Sequence, residues 1–91
     1  MATKVTLSKF AEKQMRKLTF HIYENLLHWI TSVEIHGLRN VRKTSGYHDE
    51  PLKGNRSGQR SVRLNKSYRA IYVESIEEIE IIIIEVNKHE Y

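Results

Sequence analysis

Between residues 20 and 36, apolar side chains recur at three- and four-residue spacing, with Ile22, Leu26, Trp29 and Val33 in one stripe that Leu27 and Ile30 widen. A helix puts that spacing on a single face, so a long amphipathic helix is predicted there. Gly37 ends it, since the left-handed residue just past a helix costs least as glycine. Ala11, Met15 and Leu18 repeat at the same spacing and predict a shorter helix over residues 9–17, with Ser8 as its N-cap. The link around Thr19 is short enough to fold the two helices into an antiparallel hairpin.

Elsewhere the period is two. Val5 and Leu7 alternate with polar neighbours and predict a short first strand, and three more strands are predicted over residues 59–64, 68–74 and 78–86. The run Ile81-Ile82-Ile83-Ile84 departs from alternation, as a strand does when both faces are covered, which places it inside the sheet. Residues 38–58 follow neither period. A helical turn is predicted over 38–43, followed by turn-forming residues at Ser45-Gly46, Pro51, Gly54-Asn55 and Ser57-Gly58. A connection of that length in a small domain commonly carries function. The order strand, two helices, loop, three strands reads as an α+β domain, with a single core serving residues 1–91.

Composition narrows the chemistry. The chain has no cysteine, which removes disulfides, thiolate nucleophiles and cysteine zinc sites. The longest apolar run is far too short for a bilayer and the N-terminal residues lack the apolar stretch of a secretion signal, so a soluble, cytoplasmic protein without membrane contact is expected. His21, His28 and His36 stand seven and eight residues apart, too far to converge on one ion. Neither a glycine-rich phosphate loop nor a GxSxG elbow occurs, and no metal or cofactor is expected.

Charge changes the picture more. The net charge is +4, but the segment from Arg39 to Arg69 holds nine Lys and Arg against Asp49 and Glu50, a local balance of +7 that leaves −3 for the rest. Positive charge gathered in one segment points to an acidic partner. If Asn65-Lys66-Ser67 form a hairpin loop, Leu64 faces Tyr68 and Arg63 lies opposite Arg69. Val62, Leu64, Tyr68, Ala70 and Tyr72 then share the face that meets the helices, and Ser61, Arg63, Arg69, Ile71 and Val73 share the other. Two arginines opposite each other repel, and no acid of the same hairpin neutralises them. A phosphate would, because the guanidinium fork matches its oxygens. Lys53, Arg56, Arg60, Lys66 and Lys88 are further candidate RNA contacts. His89 and Tyr91, spaced i, i+2, fall on one face of an extended strand, where they can move a proton or stack on a base; the alternative is an exposed chain end.

With Pro51-Leu52-Lys53-Gly54, Gly58, Arg63, Tyr68-Arg69 and the ending Val86-Asn87-Lys88-His89-Glu90-Tyr91, the chain resembles toxins of type II toxin–antitoxin systems in the RelE superfamily. The pattern is nearest to the HigB, or plasmid-maintenance-killer, branch. The resemblance implies a helical hairpin on one face of a small, mainly antiparallel sheet. It also implies an endoribonuclease that cleaves mRNA in the ribosomal A site without a metal ion and so inhibits translation. The expected partners are a cognate antitoxin, mRNA and the ribosome, with operator DNA reached only through the antitoxin complex. Carried over by motif, Arg63, Arg69, His89 and Tyr91 are the catalytic candidates, with Lys53 from Pro-Leu-Lys-Gly beside them. HigB proteins often carry histidine before that proline, where this chain has Glu50, with His48 two residues earlier. Attack of a ribose 2′-hydroxyl needs a base, cations for the phosphorane and an acid for the leaving oxygen; which group is acid and which base stays open. Two other readings of the same fold are a ParE-type inhibitor of DNA gyrase and a non-catalytic RNA-binding module.

Overall fold

The computed structural model describes residues 4–75 and 80–88. Strand β1 (Lys4–Leu7) leads into α1 (Lys9–Met15), α2 (Phe20–His36) and α3 (Leu38–Arg42); β2 (Glu50–Pro51), β3 (Arg60–Arg63), β4 (Tyr68–Ser75) and β5 (Glu80–Lys88) follow. The five strands stand in the order β1-β5-β4-β3-β2. β1 runs parallel to β5, and the other pairs are antiparallel. The α+β class and the mainly antiparallel sheet are as the sequence predicts. Among the described residues no helix is long and apolar enough to cross a membrane.

Each helix starts and stops for a local reason. Ser8 accepts a hydrogen bond from the Ala11 N–H at 3.0 Å, as the N-cap expectation requires. Gly37 takes φ 83° just after His36 and ends α2, and the same residue precedes α3. From α2, Ile22, Leu26, Trp29 and Val33 are buried, and α3 adds Leu38 and Val41. They meet Val62, Leu64, Ala70, Tyr72, Ile81, Ile83 and Val86 of the sheet in one core. Trp29 and Tyr72 lie at its centre, their rings 5.2 Å apart. At about 25 cal/mol per Å² of apolar surface removed from water, this helix–sheet contact is the main source of stability.

Besides β5 running to Lys88, two residues past its expected end, three details differ from the sequence expectation. α1 ends at Met15, two residues early, and lies closest to β5 and β1, because β1 is too short to cover the whole edge of β5. Where β1 stops, α1 side chains take over the edge: the Ser8 hydroxyl donates to the Ile84 carbonyl at 3.0 Å, and Gln14 accepts from the Val86 N–H at 2.6 Å. That satisfies backbone groups that would otherwise be bare. The loop contains the unforeseen strand β2, which pairs Glu50 with Ser61 and Pro51 with Arg60.

The third difference is a bulge. Ile71 pairs with Glu85 but Tyr72 pairs with Ile83, so Ile84 is an extra residue in β5. Ile81 and Ile83 face the helices before it, and Val86 faces them after it. Strict alternation would have aimed Glu85 and Asn87 into the core. The bulge turns both to the helix-free face.

Candidate functional site

The helix-free face of the sheet holds a cleft of about 630 Å³, lined by Glu50, Leu52, Arg56, Ser61, Arg69, Ile71, Glu85, Asn87 and Lys88. Its floor comes from four neighbouring strands in register: Ser61 of β3 is flanked by Glu50 of β2 and Ile71 of β4, and Ile71 by Glu85 of β5. Arg69 Nη1 donates to the buried Ser61 hydroxyl at 2.9 Å and stands 3.5 Å from Glu50 Oε1. Most of the Glu50 side chain is open to solvent. Across the cleft, Arg56 Nη2 donates to both carboxylate oxygens of Glu85, at 2.9 and 3.1 Å, and Nη1 to Gln59 Oε1 at 2.9 Å. Asn87 Oδ1 accepts from Gln14 at 2.5 Å. The cleft thus offers three cations: Arg56 and Arg69, each held by a carboxylate, and Lys88, an exposed rim lysine.

The predicted register of the hairpin is observed, with Arg63 opposite Arg69. The loop closes as its sequence suggests, with Asn65 Oδ1 accepting from the Ser67 and Tyr68 N–H groups. Their side chains part, however. Arg63 Nε donates to the Asn65 carbonyl at 3.3 Å, and Arg63 lines a smaller hollow with Asn25, His28, Thr44, Gly46, Tyr47 and Leu64. The acid beside Arg69 comes from β2, outside the hairpin.

Of the other candidate contacts, Arg56 and Lys88 line the cleft, whereas Lys53 and Lys66 are exposed and outside its lining. Arg60 pairs with Tyr72 in register and so belongs to the helix side. There its Nε donates to Asp49 Oδ1 at 2.7 Å. His89 and Tyr91 lie outside the described residues. Ser61, Glu85 and Asn87 join the cleft without having been singled out, and Glu50, noted in the sequence for its place before the proline, joins them. No local signal marks Glu85 and Asn87: with four isoleucines in a row before Val86, the sequence fits either face and does not show where a bulge falls.

Beneath the β2–β3 end of the cleft lies a buried polar cluster. The Asp49 side chain is 1% exposed; it accepts from the Tyr72 hydroxyl at 2.5 Å and from Arg60, and Arg42 Nε stands 3.9 Å away. Arg42 Nη2 also donates to Glu74 at 3.3 Å. Burial holds the Tyr72 hydroxyl above the usual phenol range, and donation to Asp49 raises it further.

No family model matches the sequence, and no curated protein matches it in sequence. Solved structures do match in shape. The chain superposes on the archaeal RelE–RelB complex from Pyrococcus horikoshii with a TM-score of 0.75 at 22% identity, covering 97% of this chain and 96% of the other. The fold is that of the RelE structure. The toxin–antitoxin complex RelBE2 from Mycobacterium tuberculosis gives a TM-score of 0.74 at 20% identity, over 98% of this chain and 100% of that one. For the YoeB dimer from Staphylococcus aureus the values are 0.71 and 20%, with both chains covered completely. The cleft therefore sits on the open sheet face of a RelE-type fold, with Pro51-Leu52-Lys53-Gly54 leading across one end and Lys88 at the other.

Proposed function

We propose that this chain is the toxin of a type II toxin–antitoxin pair, a metal-independent endoribonuclease that cuts mRNA on the ribosome. The observation that carries the reading is the Glu50 carboxylate, solvent-accessible and 3.5 Å from the Arg69 guanidinium in an open cleft with Arg56 and Lys88. A base beside a cation is what cleavage by an internal nucleophile requires. Glu50 takes the proton from a ribose 2′-hydroxyl, and the 2′-oxygen attacks the adjacent phosphorus. Arg69, fixed by Ser61, stabilises the charge that builds on the phosphorane. The P–O5′ bond then breaks and the leaving oxygen takes a proton, giving a 2′,3′-cyclic phosphate and a 5′-hydroxyl. His89, two positions after Asn87, is the proposed acid, with Tyr91 as the group that orients or stacks the base. Arg56 and Lys88 neutralise neighbouring phosphates, and Leu52 and Ile71 give the cleft an apolar floor for a base. A cognate antitoxin is the proposed inhibitor, competing for the same basic cleft.

The test is primer-extension mapping of mRNA on translating ribosomes incubated with the parent protein, with Glu50→Gln and with a form lacking residues 89–91. Cuts at the parental rate are expected with the parent only, with both variants about 10²- to 10⁴-fold slower. A parent protein that leaves mRNA whole but blocks gyrase supercoiling would replace this reading with the ParE-type one. RNA binding without cuts would leave a binding module.

A further inference from the structure

We propose that Asp49, buried on the opposite side of the sheet from the cleft, is a positioning residue that fixes Glu50 against Arg69. The inference rests on the reading of Glu50 as the base. Asp49 and Glu50 are consecutive where the chain enters β2, so their side chains leave on opposite sides, one down to the helices and one up to the cleft. β2 is only two residues long and forms one end of the sheet, with a left-handed residue, His48 at φ 44°, just before Asp49. Such a strand has little pairing of its own to hold it. What holds it is beneath: the Asp49 carboxylate receives the Tyr72 hydroxyl and Arg60 Nε, on the two neighbouring strands β4 and β3, with Arg42 of α3 at 3.9 Å. Arg60 Nη2 also reaches the Asp49 carbonyl at 3.5 Å. Tyr72 is itself locked against Trp29 in the core. A rigid path therefore runs from α2 through Tyr72 and Asp49 to the one residue that carries Glu50. The same residue that pairs with Glu50 in register, Ser61, holds Arg69. Both halves of the proposed base–cation pair are thus referenced to one point of the sheet.

Loss of the anchor should leave RNA bound but misplace the base, and a displacement of about 1 Å at a reacting group costs on the order of 10²-fold in rate. The experiment measures kcat and KM for cleavage of ribosome-bound mRNA by Asp49→Asn, Tyr72→Phe, Glu50→Gln and the double variant Asp49→Asn/Glu50→Gln, each checked for folding. Tyr72→Phe keeps the ring contact with Trp29, so it tests the anchor even where the Asp49 variant folds poorly. The expected result is a kcat lowered about 10-fold or more by Tyr72→Phe and about 10²-fold by Asp49→Asn, at unchanged KM. The double variant should be no slower than Glu50→Gln alone, since an anchor cannot misplace a base that is already gone. Parental kcat in folded Tyr72→Phe and Asp49→Asn, or losses that multiply in the double variant, would make Asp49 merely structural. Parental activity in Glu50→Gln would remove the base assignment, and with it the object that Asp49 positions.

Discussion

Arg69 is the residue on which the cleft converges. Its guanidinium is tied to Ser61 and sits beside Glu50, so its direction is already fixed for the cleavage proposed above. Preorganised donors of that kind are typically worth about 10²- to 10³-fold in rate. Arg69→Ala should therefore lose about that factor in mRNA cleavage while unfolding at nearly the parental temperature; a folded Arg69→Ala protein that arrests growth like the parent would contradict the assignment. Tyr72 gives a second, independent prediction. Its hydroxyl is held above the ordinary phenol value of about 10 by burial and by Asp49. Below that pH the phenol is neutral in both folded and unfolded chains, and the stabilisation is fully present. Above it the unfolded chain ionises first, so stability is lost as pH rises toward the raised folded value. In thermal unfolding followed from pH 8 to pH 11, the gap between the parent and Tyr72→Phe should narrow as pH rises past about 10.

Among the elements, α1 does the least for the core and the most for the sheet. Only Ala11 of it is buried, yet Ser8 and Gln14 finish the hydrogen bonding of β5 where β1 has ended. Replacing Gln14 with Ala leaves the Val86 N–H without its partner, a loss of about 1–3 kcal/mol. Urea unfolding should show a lower midpoint at unchanged slope. The bulge in β5 is the second device. It keeps Val86 in the core while releasing Glu85 to meet Arg56, and that ion pair ties the loop containing Lys53 and Gly54 across the cleft.

Over the whole molecule, charge and shape separate into two sides: helices and core beneath, a cleft with arginines, a lysine and two carboxylates above. Affinity for single-stranded RNA should fall with salt, with a slope of about 0.7 in log–log form for each phosphate neutralised. Removing Arg56 or Lys88, which line the cleft, should reduce that slope; Lys66→Ala, in the exposed hairpin loop, should leave it nearly unchanged. Equal slopes for all three variants, measured by fluorescence anisotropy, would mean that RNA does not follow the cleft.

Local spacing alone determined a good deal. The stripe of α2, the stop at Gly37, the Ser8 cap and the pairing of Arg63 with Arg69 all depend on residues within a few positions of one another, and all were legible. So were the two faces of the β3–β4 hairpin, because alternation is a property of the strand itself. The site was only partly legible. Arg69, Arg56 and Lys88 could be named as cations, but not that Arg63 turns to Asn65, that Arg60 belongs to a buried cluster, or that Glu50 and Glu85 answer the arginines. Those outcomes hang on the two-residue strand β2 and on one extra residue at Ile84. Neither is favoured by its own sequence, since β2 contains a proline and a bulge in an isoleucine run has no propensity signal. They form because Asp49 finds its partners on β3 and β4 and because Val86 is worth more in the core than Glu85. Only the assembled sheet offers those choices, so only the tertiary structure could decide which carboxylate meets which arginine.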